Sequence, residues 1–306
     1  MKKVFVIIVN WNRVKDTLDC LISLDKITTK DLNINLVVVD NGSTDNSVKQ
    51  IKNYFSKSKL RGFTIEVGKN LGFAEGNNIG IEFALANGAD YIMLLNNDTY
   101  VDKDLIINLV VTLEKDKAIG VVSPKIYFAP GFEFHKDRYN KTDLGKVIWY
   151  AGGVVDWNNV YGLTYGVDEV DQGQFDKLTE TDFANGACLL IPRNVLEKTK
   201  GFDEKFFMYY EDTDLSQRIK KLGYKVVYDP SGIVWHKVSQ SSGIGSNLND
   251  YFISRNRMIF GMRYAKLRTK FALFRESIKL LFIGRKWQRI GIRDYFLRNF
   301  EKGSWK

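Results

Sequence analysis

The sequence predicts an α/β fold: a mixed, mostly parallel sheet with helices on both faces. Three observations carry that expectation. Over residues 1–100, apolar β-branched runs alternate with helix-compatible stretches, the rhythm of a parallel sheet joined by crossover helices. The runs are continuous rather than alternating in polarity, as in strands covered on both sides. Three polar clusters, Asn10-Trp11-Asn12, Asp40 to Asp45 and Asn96-Asn97-Asp98, follow runs directly, and in such sheets ligands sit beyond the carboxyl ends of the strands.

Taken in order, Val4–Val9 reads as a strand and Val14–Leu24 as a helix. Leu36–Val39 is the second strand, and its polar loop closes with capping residues before a helix over Asn46–Phe55. Phe63–Val67 is a third strand. Asn77–Ala86 reads as a helix stopped by Asn87-Gly88, and Tyr91–Leu95 as the fourth strand. A helix is expected over Val101–Leu113 and a strand near Gly120–Val122. The stretch from Tyr127 to Asp182 has no clear period and offers only hairpin-like pieces around Gly152-Gly153 and Asn158-Asn159. Ala184–Ile191 reads as a buried strand, Pro192-Arg193-Asn194 as a helix start, Leu215–Leu222 as a short helix and Tyr224–Tyr228 as a strand leading to Pro230.

The 306 residues contain 44% hydrophobic and 26% charged residues, the balance of a packed chain, which excludes wholesale disorder. No apolar stretch is long enough to cross a membrane as a helix, and no secretory signal is expected at the start. Cys20 and Cys188 make neither a disulfide framework nor a metal cluster, so a reduced, intracellular setting is expected. The formal charge of +9 is concentrated: residues 261–306 hold 13 Lys/Arg against 3 Asp/Glu, leaving 32 against 33 in the first 260. A polyanion or an anionic membrane would meet that tail. Within it Leu267, Phe271, Phe274, Ile278 and Leu281 share one helical face, with Arg268, Lys270, Arg275 and Lys279 on the other.

Four clusters could carry chemistry. Asp40-Asn41-Gly42-Ser43-Thr44-Asp45 puts a carboxylate at a strand tip, where it can accept from a base or ribose; a turn and helix cap is the plainer reading. The dinucleotide fingerprint is absent, since Asn10-Trp11-Asn12 stands after the first strand. Asn96-Asn97-Asp98 offers one carboxylate flanked by amides, suited to a hard cation that also takes substrate phosphates and water, or else a helix cap. Glu211, Asp212 and Asp214 follow Tyr209-Tyr210: either a helix start, where acids are favoured, or a general base raised by its surroundings. His236, one of two histidines, follows a strand and is a structural residue or a metal ligand. His135 has no strand context and no assigned role.

The ordered set of pieces across residues 3–258 resembles the family-2 inverting glycosyltransferases of GT-A fold, in their rhamnosyltransferase-like branch. It comprises Val9 to Asn12, Val39 to Asp45, Asn70 to Ala74, Gly76 to Gly80, Leu95 to Asp98, Gly186, Gly201 to Glu204, Phe206 to Asp214, Gly223-Tyr224, His236 and Arg255-Asn256. The resemblance implies a catalytic domain over 1–245, with a nucleotide-sugar half (1–100) and an acceptor half (101–245), followed by a helical segment over 246–306. It implies transfer of a sugar from a dTDP- or UDP-sugar, dTDP-rhamnose among them, to a saccharide or lipid-linked acceptor in cell-envelope polysaccharide synthesis, with Mg²⁺ or Mn²⁺. Asp212 is then the catalytic base, and Asp98 and His236 hold the cation, with Asn96 replacing the first acid of the family's D-x-D element. Asn10, Trp11, Asn12, Asp40, Asn41 and Ser43 line the nucleoside. Asn70, Gly72, Phe73 and Asn78, with Asn96 and Asn97, lie beside the sugar diphosphate, and Arg255 belongs to an element closing over the donor.

Two other classes compete. A nucleotide-sugar-forming nucleotidyltransferase would carry a glycine- and basic-rich phosphate loop near its start, absent here. A nucleotide-sugar-binding module without catalysis would lack the base. The basic tail either packs on the catalytic domain or docks on an anionic membrane from the cytoplasmic side; nucleic acid ranks last, since the rest of the chain is near neutral.

Overall fold

The computed structural model describes residues 1–238 and 246–305. The expected boundary between 245 and 246 borders the segment 239–245, which lies outside the described residues. The first elements follow the expected alternation: β1 (Lys2–Asn10), α1 (Val14–Leu24), β2 (Leu32–Asp40), α2 (Ser47–Phe55), β3 (Arg61–Glu66), α3 (Gly72–Ala86) and β4 (Tyr91–Leu95). Then come β5 (Thr99–Val101), α4 (Leu105–Lys115), β6 (Ile119–Phe128), β7 (Ile148–Tyr150), β8 (Gly153–Asp156), β9 (Tyr161–Thr164) and β10 (Thr179–Glu180). The chain continues through β11 (Cys188–Pro192), α5 (Arg193–Thr199), α6 (Glu211–Lys221), β12 (Lys225–His236), α7 (Asn247–Tyr264), α8 (Leu267–Ile283) and α9 (Lys286–Phe296).

The main sheet runs β10-β12-β6-β11-β4-β1-β2-β3, with β5 on β12 and β7 on β6. β1 is parallel to β2 and β4, β2 to β3, and β6 to β12. β11 runs antiparallel between β4 and β6, so the sheet is mixed. Both faces are covered. Val4, Val6 and Ile8 of β1 pack toward Cys20, Leu21 and Leu24 of α1 and Leu105 and Leu109 of α4. Phe5 and Ile7 face Ala74, Ile81 and Ala84 of α3. Double coverage explains why these strands read as unbroken apolar runs.

Four expectations are corrected. Thr99-Tyr100-Val101 does not start a helix; it pairs antiparallel with Val234-Trp235-His236, and α4 begins at Leu105. β12 does not stop at Pro230 but shifts register between Asp229 and Ile233 and continues to His236. A bulge of this kind lets a strand pass a residue that cannot donate to the ladder. The buried run over Ala184–Ile191 becomes a strand only from Cys188. α3 starts at Gly72 rather than Asn77. Its glycines hid this start: a Cβ on Gly76 would stand 3.2 Å from Val9 Cγ1, and one on Gly80 2.2 Å from Ile7 Cγ2, so the helix lies close on β1.

The C-terminal helices are part of the same body. Phe260 of α7, Leu273 of α8 and Ile292 of α9 join the α1-side core. α8 meets the body through a narrow line of Thr269, Leu273 and Ser277. Of the apolar face read from the sequence, Leu267, Phe271, Phe274 and Ile278 point outward and are exposed, whereas Leu281 packs against the core. No helix among the described residues is long and apolar enough to cross a membrane.

Gly80→Ala tests the close approach of α3. Alanine favours a helix by about 1 kcal/mol, but here its methyl collides with Ile7. Overpacking of that kind costs roughly 1–3 kcal/mol, so thermal unfolding should move to lower temperature; a rise would show that the contact relaxes freely.

Candidate active site

The strand-tip clusters, remote in sequence, meet above β1, β2 and β4. Asn10, fully buried, donates from Nδ2 to Asp40 Oδ2 (2.9 Å) and Ser43 Oγ (3.1 Å), while its Oδ1 accepts from Thr17 Oγ1 (2.6 Å). Asn97 Nδ2 in turn donates to Thr17 Oγ1 (3.0 Å). One chain of hydrogen bonds thus joins the ends of β2, β1 and β4 through the inner face of α1. Asn12, at φ +52°, accepts the Thr44 N–H and donates its own to Ser43 Oγ, which leaves Trp11 between them 48% exposed at the rim.

Asp98 and His236 come together because β5 pairs with β12. His236 Nε2 lies 3.0 Å from Asp98 Oδ1 and 3.5 Å from Asn96 Nδ2, and Trp149 of β7 meets the imidazole edge to face at 4.7 Å. Burial pushes the Asp98 carboxyl up, but the attraction and hydrogen bond of His236 outweigh it and hold it below its ordinary value. His236 Nδ1 is buried without a partner among the described residues. Among the described residues no group of three His, Cys, Asp or Glu could hold a metal. One carboxylate and one imidazole fit a cation that draws its remaining ligands from a diphosphate and water.

Asp212 stands in the first turn of α6, partly buried. Its Oδ2 accepts from the Gly186 N–H (2.9 Å), and its Oδ1 from the Thr213 N–H (2.6 Å). Burial raises its carboxyl above the ordinary value, and these donors restrain the rise. The loop carrying Gly186 also accepts the Asn96 N–H at Ala187 O (2.9 Å), so one loop touches both the Asp212 carboxylate and the cluster holding Asp98 and His236. Glu211 turns into the protein. Its Oε2 has no partner among the described residues, and burial and the neighbouring Asp212 push it well above the usual carboxylate range. Asp214, fully buried, is held by Arg218, Arg263 and the Tyr264 hydroxyl.

Several residues expected beside the donor serve the scaffold instead. Asn41 clasps Gly72 O (2.9 Å) and Asn70 Oδ1 (3.2 Å) and accepts the Leu71 N–H. The Gly72 N–H goes to Asn70 Oδ1, and those of Phe73 and Ala74 to Phe207 O (2.7 and 3.0 Å), so the start of α3 offers no free donor there to a phosphate. Asn78 is buried and bonded to the Phe202 N–H and carbonyl and to Glu204. Arg255, expected in an element closing over the donor, is wholly buried and donates to the carbonyls of Lys205, Phe206 and Glu301. Asn256 Nδ2 faces the carbonyls of Phe206, Met208 and Tyr209 at 2.8–2.9 Å.

The sequence reading missed Thr17 and Trp149. Thr17 shares the buried face of α1 with Cys20, Leu21 and Leu24, and a hydroxyl among apolar residues was the available signal. Trp149 lies in the stretch without a period.

Glu211 gives a pH test. Its folded carboxyl is raised, so the native state keeps a proton the unfolded chain loses from about pH 4.3 upward, and native stability falls with pH from there until the folded group ionises. Glu211→Gln removes that loss. Melting curves of variant and wild type should coincide near pH 4 and separate, variant higher, at about pH 8; a pH-independent gap would refute the assignment.

Comparison with known proteins bears on the family and the fold. Residues 5–199 match the family model described as glycosyl transferase family 2. The N-acetylglucosaminyl-diphospho-decaprenol L-rhamnosyltransferase of Mycobacterium tuberculosis is 26% identical over 218 residues, 69% of this chain and 68% of that protein. The low-salt glycan biosynthesis hexosyltransferase Agl10 of Haloferax volcanii is 24% identical over 217 residues, 71% of this chain and 61% of that protein. The mannosyltransferase PcManGT from Pyrobaculum calidifontis, solved with GDP-Man and Mn²⁺, superposes with a TM-score of 0.57 at 16% identity, covering 96% of this chain and 74% of that one. TarS of S. aureus, solved with UDP-GlcNAc, gives 0.59 at 15%, covering 96% and 79%. At such identities the likeness is one of fold, the GT-A fold of glycosyltransferases. With a matched region spanning well over half its length, the chain belongs to glycosyl transferase family 2.

Proposed function

We propose that the protein is a cation-dependent, inverting glycosyltransferase that moves a sugar from a nucleoside-diphosphate sugar to an acceptor hydroxyl, with Asp212 as the base. The observation that carries this reading is the Gly186–Ala187 loop, which holds the Asp212 carboxylate and the Asn96 end of the Asp98–His236 cluster together.

An alcohol is a poor nucleophile until its proton is taken. A carboxylate raised by burial is a stronger base than one in water, and Asp212 is held in place by Gly186 and Thr213. It would take the acceptor proton as the hydroxyl oxygen forms a bond to the anomeric carbon and the bond to the diphosphate breaks. Glu211 is adjacent on the same helical turn but buried, so no second carboxylate beside Asp212 on this turn serves as a nucleophile, and a single displacement inverts the anomeric centre. Asp98 and His236 would hold Mg²⁺ or Mn²⁺, which neutralises charge on the departing diphosphate. Asp40 and Trp11 would meet the nucleoside.

The donor we favour is a dTDP- or UDP-sugar, with dTDP-rhamnose first among candidates, and the acceptor a lipid-linked saccharide of cell-envelope polysaccharide synthesis. Support comes from the name of the mycobacterial relative, an L-rhamnosyltransferase named for a diphospho-decaprenol.

Two outcomes follow. Asp212→Asn should lower turnover by roughly 10²–10⁴-fold, the usual worth of a general base, while nucleotide binding survives; turnover near wild type would remove the assignment. In a thermal-shift panel of UDP, dTDP and GDP with and without Mn²⁺, the preferred nucleotide should raise the melting temperature most. Asp98→Ala should abolish only the Mn²⁺-dependent part of that rise, and an unchanged rise would displace Asp98 from the cation site.

A further inference from the structure

The outward face of α8 is an apolar stripe that none of the described residues covers. Leu267, Phe271, Phe274, Ile278 and Phe282 recur at spacings of four, three, four and four, and all are exposed, Phe271 and Phe282 by 73% and 77%. The stripe lies opposite Thr269, Leu273 and Ser277, which attach the helix to the body. Phe296 of α9 meets Phe274 edge to face at 6.0 Å, and exposed Leu297 follows it, so the patch continues past α8.

The cations expected on the opposite face border this stripe instead, because the opposite face is the one that meets the body. A helix turns about 100° per residue, which puts Arg268, Arg275 and Lys279 within about 60° of one edge and Lys270 about 40° beyond the other. Several other cations of this region are engaged elsewhere: Arg257 with Glu276, Arg263 with Asp203 and Asp214, Arg285 with Asp250, Arg293 with Asp294, while Arg255 and Arg289 donate to backbone carbonyls. Among the described residues Arg268, Lys270, Arg275 and Lys279 have no carboxylate partner.

We propose that α8 and the adjoining end of α9 form a membrane-docking surface, with the apolar stripe entering the headgroup boundary of an anionic bilayer and the flanking cations meeting lipid phosphates. An amphipathic helix with aromatic and aliphatic residues on one side and Lys/Arg beside them lies in the plane of such an interface. A second copy of the chain is the weaker occupant: residues 261–306 carry 13 basic and 3 acidic residues, and burying two stripes together would bring these like charges into apposition. The inference stands apart from the transferase reading, because docking is measured with no sugar donor present.

The test is flotation of the full chain with neutral phosphatidylcholine vesicles and with vesicles carrying about 30% phosphatidylglycerol, whose surface attracts basic segments. Wild type should float with the anionic vesicles only, less at high salt. Arg268→Gln/Arg275→Gln/Lys279→Gln should weaken that partition about a hundredfold, each cation near an anionic surface being worth roughly fivefold. Phe271→Ser/Phe282→Ser should weaken it at least about tenfold through lost apolar burial. These side chains are exposed, and melting curves matching wild type confirm folding. No anionic binding, equal binding to neutral vesicles, or binding unchanged in both variants would overturn the inference. So would sedimentation showing a wild-type dimer that Phe271→Ser/Phe282→Ser dissociates, with no vesicle binding.

Discussion

The structure depends on how the backbone carbonyls of Lys205–Tyr209 are satisfied. This segment turns sharply before α6, with Phe207, Tyr209 and Tyr210 at φ +62°, +67° and +71°. Left-handed backbone at bulky residues persists only where the surroundings impose it. Here α7 supplies Arg255 and Asn256 to the carbonyls of Lys205, Phe206, Met208 and Tyr209, and α3 supplies the Phe73 and Ala74 amides to Phe207 O. Asp212 follows directly. Its position is therefore set by three helices that are far apart in sequence.

The same division runs through the strand-tip residues. Asn41, Asn70, Asn78 and Arg255 have their polar atoms occupied by neighbouring backbone, and they fix loops. Asp98 and Asp212 sit where burial and partners shift their carboxyls, His236 lies against Asp98, and Trp11 keeps an exposed face at the rim. Buried polar groups must find partners whichever role they serve, so residue type alone does not separate positioning from chemistry. The partner does: an amide bonded to backbone is a clasp, whereas the Asp98 carboxylate, 3.0 Å from the His236 imidazole, puts two cation-ligating types of group side by side.

Much of the fold was legible because periodicity reports burial. β1 to β4, α1 and α2 are local, doubly covered or amphipathic, and their pattern survives in sequence. What escaped reading depends on tertiary contact. Thr99-Tyr100-Val101 is a strand only because β12 lies beside it, and β12 passes Pro230 only because a bulge accommodates it. The start of α3 was obscured by glycines whose purpose is to let the helix approach Val9 and Ile7. In the site, the pairing of Asp98 with His236 spans 138 positions and follows from strand register. The resemblance alone places Arg255 beside the donor; that it points into the protein is decided by packing. The face of α8 was read correctly as apolar, but which side the body would cover is a property of the neighbours.

The clamp of α7 on the Lys205–Tyr209 carbonyls means that the C-terminal helices are not an interchangeable part. A chimera carrying another protein's C-terminal helices would present foreign side chains to a turn that four donors from Arg255 and Asn256 now hold in shape. Grafting would succeed only if turn and helix were exchanged as a matched pair, so the smallest transferable unit reaches from α3 through α7 and has no natural seam between the two.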